Sequence, residues 1–161
     1  IVQGVEVYNR SHRISSPSEP EILLTGMPNA CNLCHLDKSL TWTRNALESG
    51  WGKRTNLPPG LERFYGRGLR RPVGDAWLSH PNGRIRSVAA AAYARSEEGE
   101  KKLPELIVLL NDPVAYYRTI AMQSVERIVG RPFGEDEYSV SGPPDERARQ
   151  VRSLRERYSG D

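Results

Sequence analysis

Apolar residues recur at helical spacing over most of this chain and thin out at its start. Leu40 and Leu47, with Thr43 and Ala46 between them at three- and four-residue intervals, put one weakly apolar face on a helix from about Asp37 to Ser49. Gly50 is placed to stop it. Residues 53–71, KRTNLPPGLERFYGRGLRR, mix Gly, Pro and Arg without a period, which predicts a loop or a short broken helix. Beyond it the pattern repeats. LSHPNGRIRSVAAAAYAR from Leu78 aligns without a gap with LNDPVAYYRTIAMQSVER from Leu110, at an offset of 32 residues. Pro81 matches Pro113, Arg86 matches Arg118, Ser87 matches Thr119, Val88 matches Ile120, Ala89 matches Ala121 and Arg95 matches Arg127. Such periodicity marks a helical repeat array. In each unit one helix ends, proline opens the next in its first turn, and an apolar face follows, with Ala89 to Ala92 allowing close helix approach. The last periodic segment is a helix from Pro144 to Tyr158, charged all round except at Ala148, Val151 and Leu154. That composition suits a terminal cap whose polar outer face keeps a stack soluble.

Residues 1–30 read differently. Pro17, Pro20 and Pro28 among serines and glutamates favour extended or turn geometry, so this segment is expected to wrap as an arm. The fold class expected from the whole pattern is all-α, in three parts: residues 1–60, 61–131 and 132–161. A chain of 161 residues is one domain's worth. Its net charge of +3 is mild, and outside the tract from Arg67 to Arg71 the basic excess reads as solvated surface rather than a nucleic-acid footprint. No apolar run approaches the roughly 20 residues of a membrane span. The chain begins at Ile1, which is expected of a processed protein or a part of a longer one.

The chemistry is concentrated in NACNLCHLDKS, residues 29–39, which holds both cysteines of the chain and one of its three histidines. Cys-x-x-Cys-His is the attachment signature of c-type haem. Residues three apart on a helical turn share a side, so Cys31 and Cys34 can each form a thioether to one porphyrin edge. That tether brings the His35 imidazole up as the axial iron ligand. A thioredoxin-type dithiol would call for a neighbouring βαβ pattern, a structural zinc for four ligands in paired clusters, and a Cys31–Cys34 disulfide would close too small a loop to stabilise much. Trp42, about two turns after His35, is either a core aromatic or a porphyrin contact. Arg67, Arg70 and Arg71 are either solvated or partners of haem propionates, which the forked guanidinium suits.

The sixth iron position has four candidates. His80 sits in an interhelical turn where its repeat partner is Asp112, Met122 falls on an apolar helix face, and Met27 lies only four residues before Cys31. His12 is eighteen residues from Cys31 if the intervening ones are counted, and at about 3.3 Å per extended residue an arm of that length can travel round a porphyrin edge.

Two resemblances bear on this. Residues 73–131 resemble HEAT-like repeats of the short, roughly thirty-residue kind. RSHRI, followed after a proline-bearing arm by GMPNACNLCHLDKSLTW, is similar to the final haem module of multihaem c-type cytochromes that continue into such repeats. The resemblance implies one covalent haem c and bis-histidine ligation by His35 and His12. It further implies redox partners bearing their own haems, and a periplasmic or otherwise extracytoplasmic location. Such proteins carry further Cys-x-x-Cys-His motifs upstream, whereas this chain has one. It is then either the carboxy-terminal part of a longer cytochrome or a single-haem subunit. The expected function is electron transfer without bond chemistry. An enzyme or gas-binding protein with an open sixth position, with His80 or an Arg as distal group, and a haem-stapled scaffold are the alternatives.

Overall fold

The computed structural model describes residues 19 and 22–158 and, within the arm, the backbone of residues 2–3, 8–9 and 20–21. Those two pairs form β1 (Val2–Gln3) and β2 (Tyr8–Asn9), an antiparallel ladder with Val2 opposite Asn9 and Gln3 opposite Tyr8. His12 lies outside the described residues, as does most of the arm. Apart from that ladder and one isolated bridge between Ser39 and Pro72, the regular structure described is helical, in agreement with the all-α expectation.

A single turn, α1 (Ala30–Cys34), opens the helical part. The next helix, α2 (Leu40–Trp51), starts three residues later than the apolar pattern predicts, because the Ser39 hydroxyl accepts the Trp42 N–H at 3.1 Å and caps it there. It also runs through Gly50. Gly52 is the residue that takes the left-handed conformation, at φ +66°, and its N–H bonds the Glu48 carbonyl at 2.9 Å while Lys53 N–H reaches Leu47 at 3.3 Å. Residues 53–71 are the broken segment expected: α3 (Glu62–Tyr65) lies between the 3₁₀ turns Pro59–Leu61 and Arg67–Leu69.

Both aligned stretches belong to helix pairs. The first is α4 (Val73–Leu78) with α5 (Gly83–Tyr93), the second α6 (Leu103–Val108) with α7 (Ala115–Val129). The prolines stand before the N-caps rather than in the first helical turn. Asn82 caps α5 through Arg84 N–H at 3.0 Å, and Asp112 accepts Val114 N–H at 3.0 Å ahead of α7. What the turn offers instead is carbonyls. Arg86 Nη1 donates to the carbonyls of His80 (2.6 Å) and Pro81 (2.8 Å), and Arg118 Nη1 donates to those of Asp112 (2.8 Å) and Pro113 (3.1 Å). The sequence offset of 32 is thus also an offset of hydrogen bonds.

Each guanidinium reaches forward as well. Arg86 Nε bonds Asp112 Oδ2 at 3.1 Å, while Arg118 Nε bonds the Val140 carbonyl at 3.0 Å in the connection to α8 (Pro144–Tyr158). Lys102 Nζ pairs with Asp75 at 2.8 Å, joining the second unit to the first.

One apolar cluster runs from Leu23 through Trp77 and Leu106 to Leu154. Ala89, Ala90 and Ala92 are buried where α5 packs on α4 and α7, the close approach their small side chains permit. Val151 and Leu154 are buried where α8 packs on α6. Gln150 is buried beside them, its Oε1 accepting Ser139 N–H at 3.1 Å and its Nε2 donating to the Glu135 carbonyl at 3.2 Å.

The motif segment is built onto this stack. Val73 N–H donates to the Lys38 carbonyl at 2.9 Å and Gly74 N–H to the Leu36 carbonyl at 3.0 Å, satisfying amides in the first turn of α4 that have no partner within the helix. Tyr65 adds a second tie, donating its hydroxyl to the Gly26 carbonyl and accepting Trp77 Nε1–H at 2.8 Å.

Candidate functional site

Asn29 starts the site. Its side chain accepts Asn32 N–H at 3.0 Å, which caps α1 and fixes where the single turn begins. That turn points Asn32 inward, where it is fully buried. The Asn32 side chain is then held from three directions. Its Oδ1 accepts Thr43 Oγ1–H at 2.6 Å and Asn29 Nδ2–H at 2.9 Å, and its Nδ2 donates to the His35 carbonyl at 3.2 Å.

Next to the buried Asn32, Leu33 packs partly buried against the core. Cys31 is half-buried, Cys34 and His35 are exposed, and both cysteines are free thiols. His35 is the C-cap of α1, at φ −109°, ψ 61°, and its N–H closes the turn onto the Cys31 carbonyl at 3.1 Å. Its ring lies 4.9 Å from that of Trp42, tilted by 52°. Trp42 is half-buried, so it contacts both α2's surroundings and the exposed imidazole. Four predicted site residues, Cys31, Cys34, His35 and Trp42, therefore share one region, held from behind by a buried amide.

Other candidates lie elsewhere or face other work. His80 stacks on Phe64, with ring centroids 4.4 Å apart, and its Nδ1 accepts Asn82 N–H at 3.0 Å. Burial, then the charges of Arg86 and Arg63, hold this imidazole below its ordinary pKa. Accepting the Asn82 N–H requires Nδ1 to be unprotonated, which places the ring proton on Nε2. A histidine that ligates iron through Nε2 carries its proton on Nδ1 and donates it, the reverse of what His80 does. Arg71 is engaged too, donating to the Asp75 carbonyl at 2.9 Å and to Ser79 Oγ at 3.0 Å, whereas Arg67 and Arg70 are exposed. Met122 is half-buried against the core and Met27 is exposed.

The donor set fits a covalently held haem: two free thiols on one turn, flanked by solvent, with an imidazole immediately after. It does not fit a protein-only metal cage, since no three His, Cys, Asp or Glu side chains converge among the described residues. Sequence reasoning missed Asn29 and Asn32 and read Thr43 as part of an apolar face. The signal available was the Asn-x-x-Asn spacing ahead of a short apolar run, a capping pattern. No family model, curated protein or solved structure matches this chain.

Proposed function

We propose that this chain is an electron-transfer c-type cytochrome carrying one haem c bound through Cys31 and Cys34, with His35 as axial ligand. The observation that carries the reading is the turn built on the buried Asn32 side chain, which accepts from Asn29 and Thr43 and leaves Cys34 and His35 exposed and Cys31 half-buried, with both cysteines free. Haem, once attached, supplies a one-electron couple. The chain's own residues do the rest. Asn32 and Thr43 fix the turn, Trp42 packs against the His35 ring, and α4 receives the Leu36 and Lys38 carbonyls so that the site is rigid against the helical stack.

His12 is proposed as the second axial ligand, and helix pairs α4–α5 and α6–α7 as HEAT-like units. The second assignment is supported by the matched guanidinium contacts of Arg86 and Arg118. Stacked units of this kind offer extended surface to other proteins, which suits a subunit or carboxy-terminal part of a larger extracytoplasmic redox assembly. Two protein ligands on the iron leave no position for a substrate, so the reading is of a carrier, not an enzyme.

The test is optical. The haem-bearing chain should be low-spin and should not bind carbon monoxide when reduced at neutral pH, whereas His12→Ala should keep its haem and bind carbon monoxide. High-spin ferric bands in the unaltered chain would overturn the saturated-iron reading. Loss of low-spin character in His80→Ala but not in His12→Ala would move the ligand to His80.

A further inference from the structure

We propose that the stretch 53–71 is a docking surface for an acidic protein, placed beside the Cys-x-x-Cys-His turn. It holds six basic residues against the single acid Glu62, a local charge of +5 in a chain whose total is +3, so the remainder of the chain is net negative. Much of this charge is free to meet a partner. Arg63, Arg67 and Arg70 are exposed, and among the described residues none of the three is in an ion pair. Glu62 is occupied in accepting Gly68 N–H at 2.7 Å.

The loop is held in a specific shape. Gly66 and Gly68 have φ of +70° and +65°, and Leu69, at φ 55°, adopts the left-handed region with a side chain attached. A Cβ-bearing residue is strained there, and such strain persists only where its surroundings over-determine it. Here Leu69 is buried in the core, and Thr41 Oγ1 bonds the carbonyls of Gly68 (2.7 Å) and Leu69 (3.3 Å). Thr41 precedes Trp42, whose ring meets His35. Residues 67–70 are thus anchored to α2, the helix whose Trp42 meets His35.

Composition favours a protein over a polyanion. Leu24 and Met27 are exposed on the segment whose Gly26 seats against Leu61 and Tyr65, and Arg mixed with Met and aromatic side chains is what protein interfaces enrich. The basic surface offers the four-residue α3 and two 3₁₀ turns as regular structure, each too short to read a nucleic-acid groove.

Only the partner's redox character rests on the haem reading; the charged surface is a property of the chain itself. The experiment titrates oxidised flavodoxin, an acidic protein, into the full chain with and without attached haem, and reads affinity by calorimetry. The triple variant Arg63→Glu, Arg67→Glu, Arg70→Glu should weaken binding at least about tenfold with an unchanged circular dichroism spectrum, and raising salt to roughly 0.2 M should do the same to the unaltered chain. The neutral pair Arg67→Gln, Arg70→Gln should lose less. Affinity indifferent to these substitutions overturns the proposal. So does a 20-base-pair DNA duplex, or a phosphatidylserine vesicle, that binds through the same arginines more tightly than flavodoxin. A chain that takes up no haem yet binds flavodoxin through these arginines contradicts the haem reading alone. A haem-bearing chain whose flavodoxin affinity ignores the arginines contradicts the docking surface alone.

Discussion

Arg86 of the first helix pair bonds Asp112 of the second, in a turn where the first pair carries His80 at the equivalent position. The Asp112 side chain is 3% exposed and also accepts Val114 N–H, so one carboxylate joins two units and shapes the entry to α7. Removing it leaves the Arg86 guanidinium, 18% exposed, without its counter-charge. Asp112→Ala should lower unfolding free energy by about 2–4 kcal/mol, read by urea denaturation. Asp112→Asn, which keeps an acceptor for Val114, should cost less.

Asn32 should matter to folding without haem. Asn32→Ala strands the buried Asn29 amide and takes from the buried Thr43 hydroxyl its shorter bond, leaving it only the Ser39 carbonyl at 3.3 Å. The expected cost is about 2–3 kcal/mol, measured on the haem-free chain. Thr43→Val should cost less, because it removes one partner of Asn32 and leaves the amide its other two bonds.

Gly74 tests the seat of the motif on α4. A Cβ there would meet the Tyr93 hydroxyl at 2.0 Å, and Tyr93 is buried at 3% exposure with no room to swing. Gly74→Ala should destabilise by about 2–3 kcal/mol. Adding Tyr93→Phe removes the clashing oxygen and should recover part of that loss, a coupling that a double-mutant cycle reads directly.

The offset of 32 and the helix from Pro144 to Tyr158 were legible because apolar period and end signals agree there. The stop at Gly50 was not. Both Gly50 and Gly52 follow the apolar face, and only the backbone shows which one turns left-handed. The prolines of the repeats read as helix openers, yet their carbonyls are taken by Arg86 and Arg118, a role no local pattern announces. At the site, the two cysteines and His35 stood out by spacing. Asn32 did not, since a polar residue inside a short motif looks exposed until tertiary contacts bury it.

Acid should loosen the terminal helix before the rest. Hydrogen bonds from Arg131, then Arg157, hold the Glu137 carboxyl down at about 2, against an ordinary 4.5. A depressed carboxylate contributes stability that is complete above 4.5 and is lost as pH falls toward 2. Hydrogen exchange in α8 should therefore accelerate over that window, and Glu137→Gln should flatten the dependence. Both arginines are exposed, at 44% and 48%, so the effect should shrink in high salt.

The central claim is that Cys31 and Cys34 carry haem. The direct measurement is the mass of the acid-denatured chain after expression with a c-type haem maturation system in an oxidising compartment. The account predicts a mass increase of one haem that survives denaturation, with a pyridine haemochrome spectrum characteristic of two thioethers. It predicts the single-thioether spectrum in Cys31→Ala or Cys34→Ala and no covalent haem in the double variant. A chain that emerges at its apoprotein mass, with both thiols free to react with iodoacetamide, would contradict it.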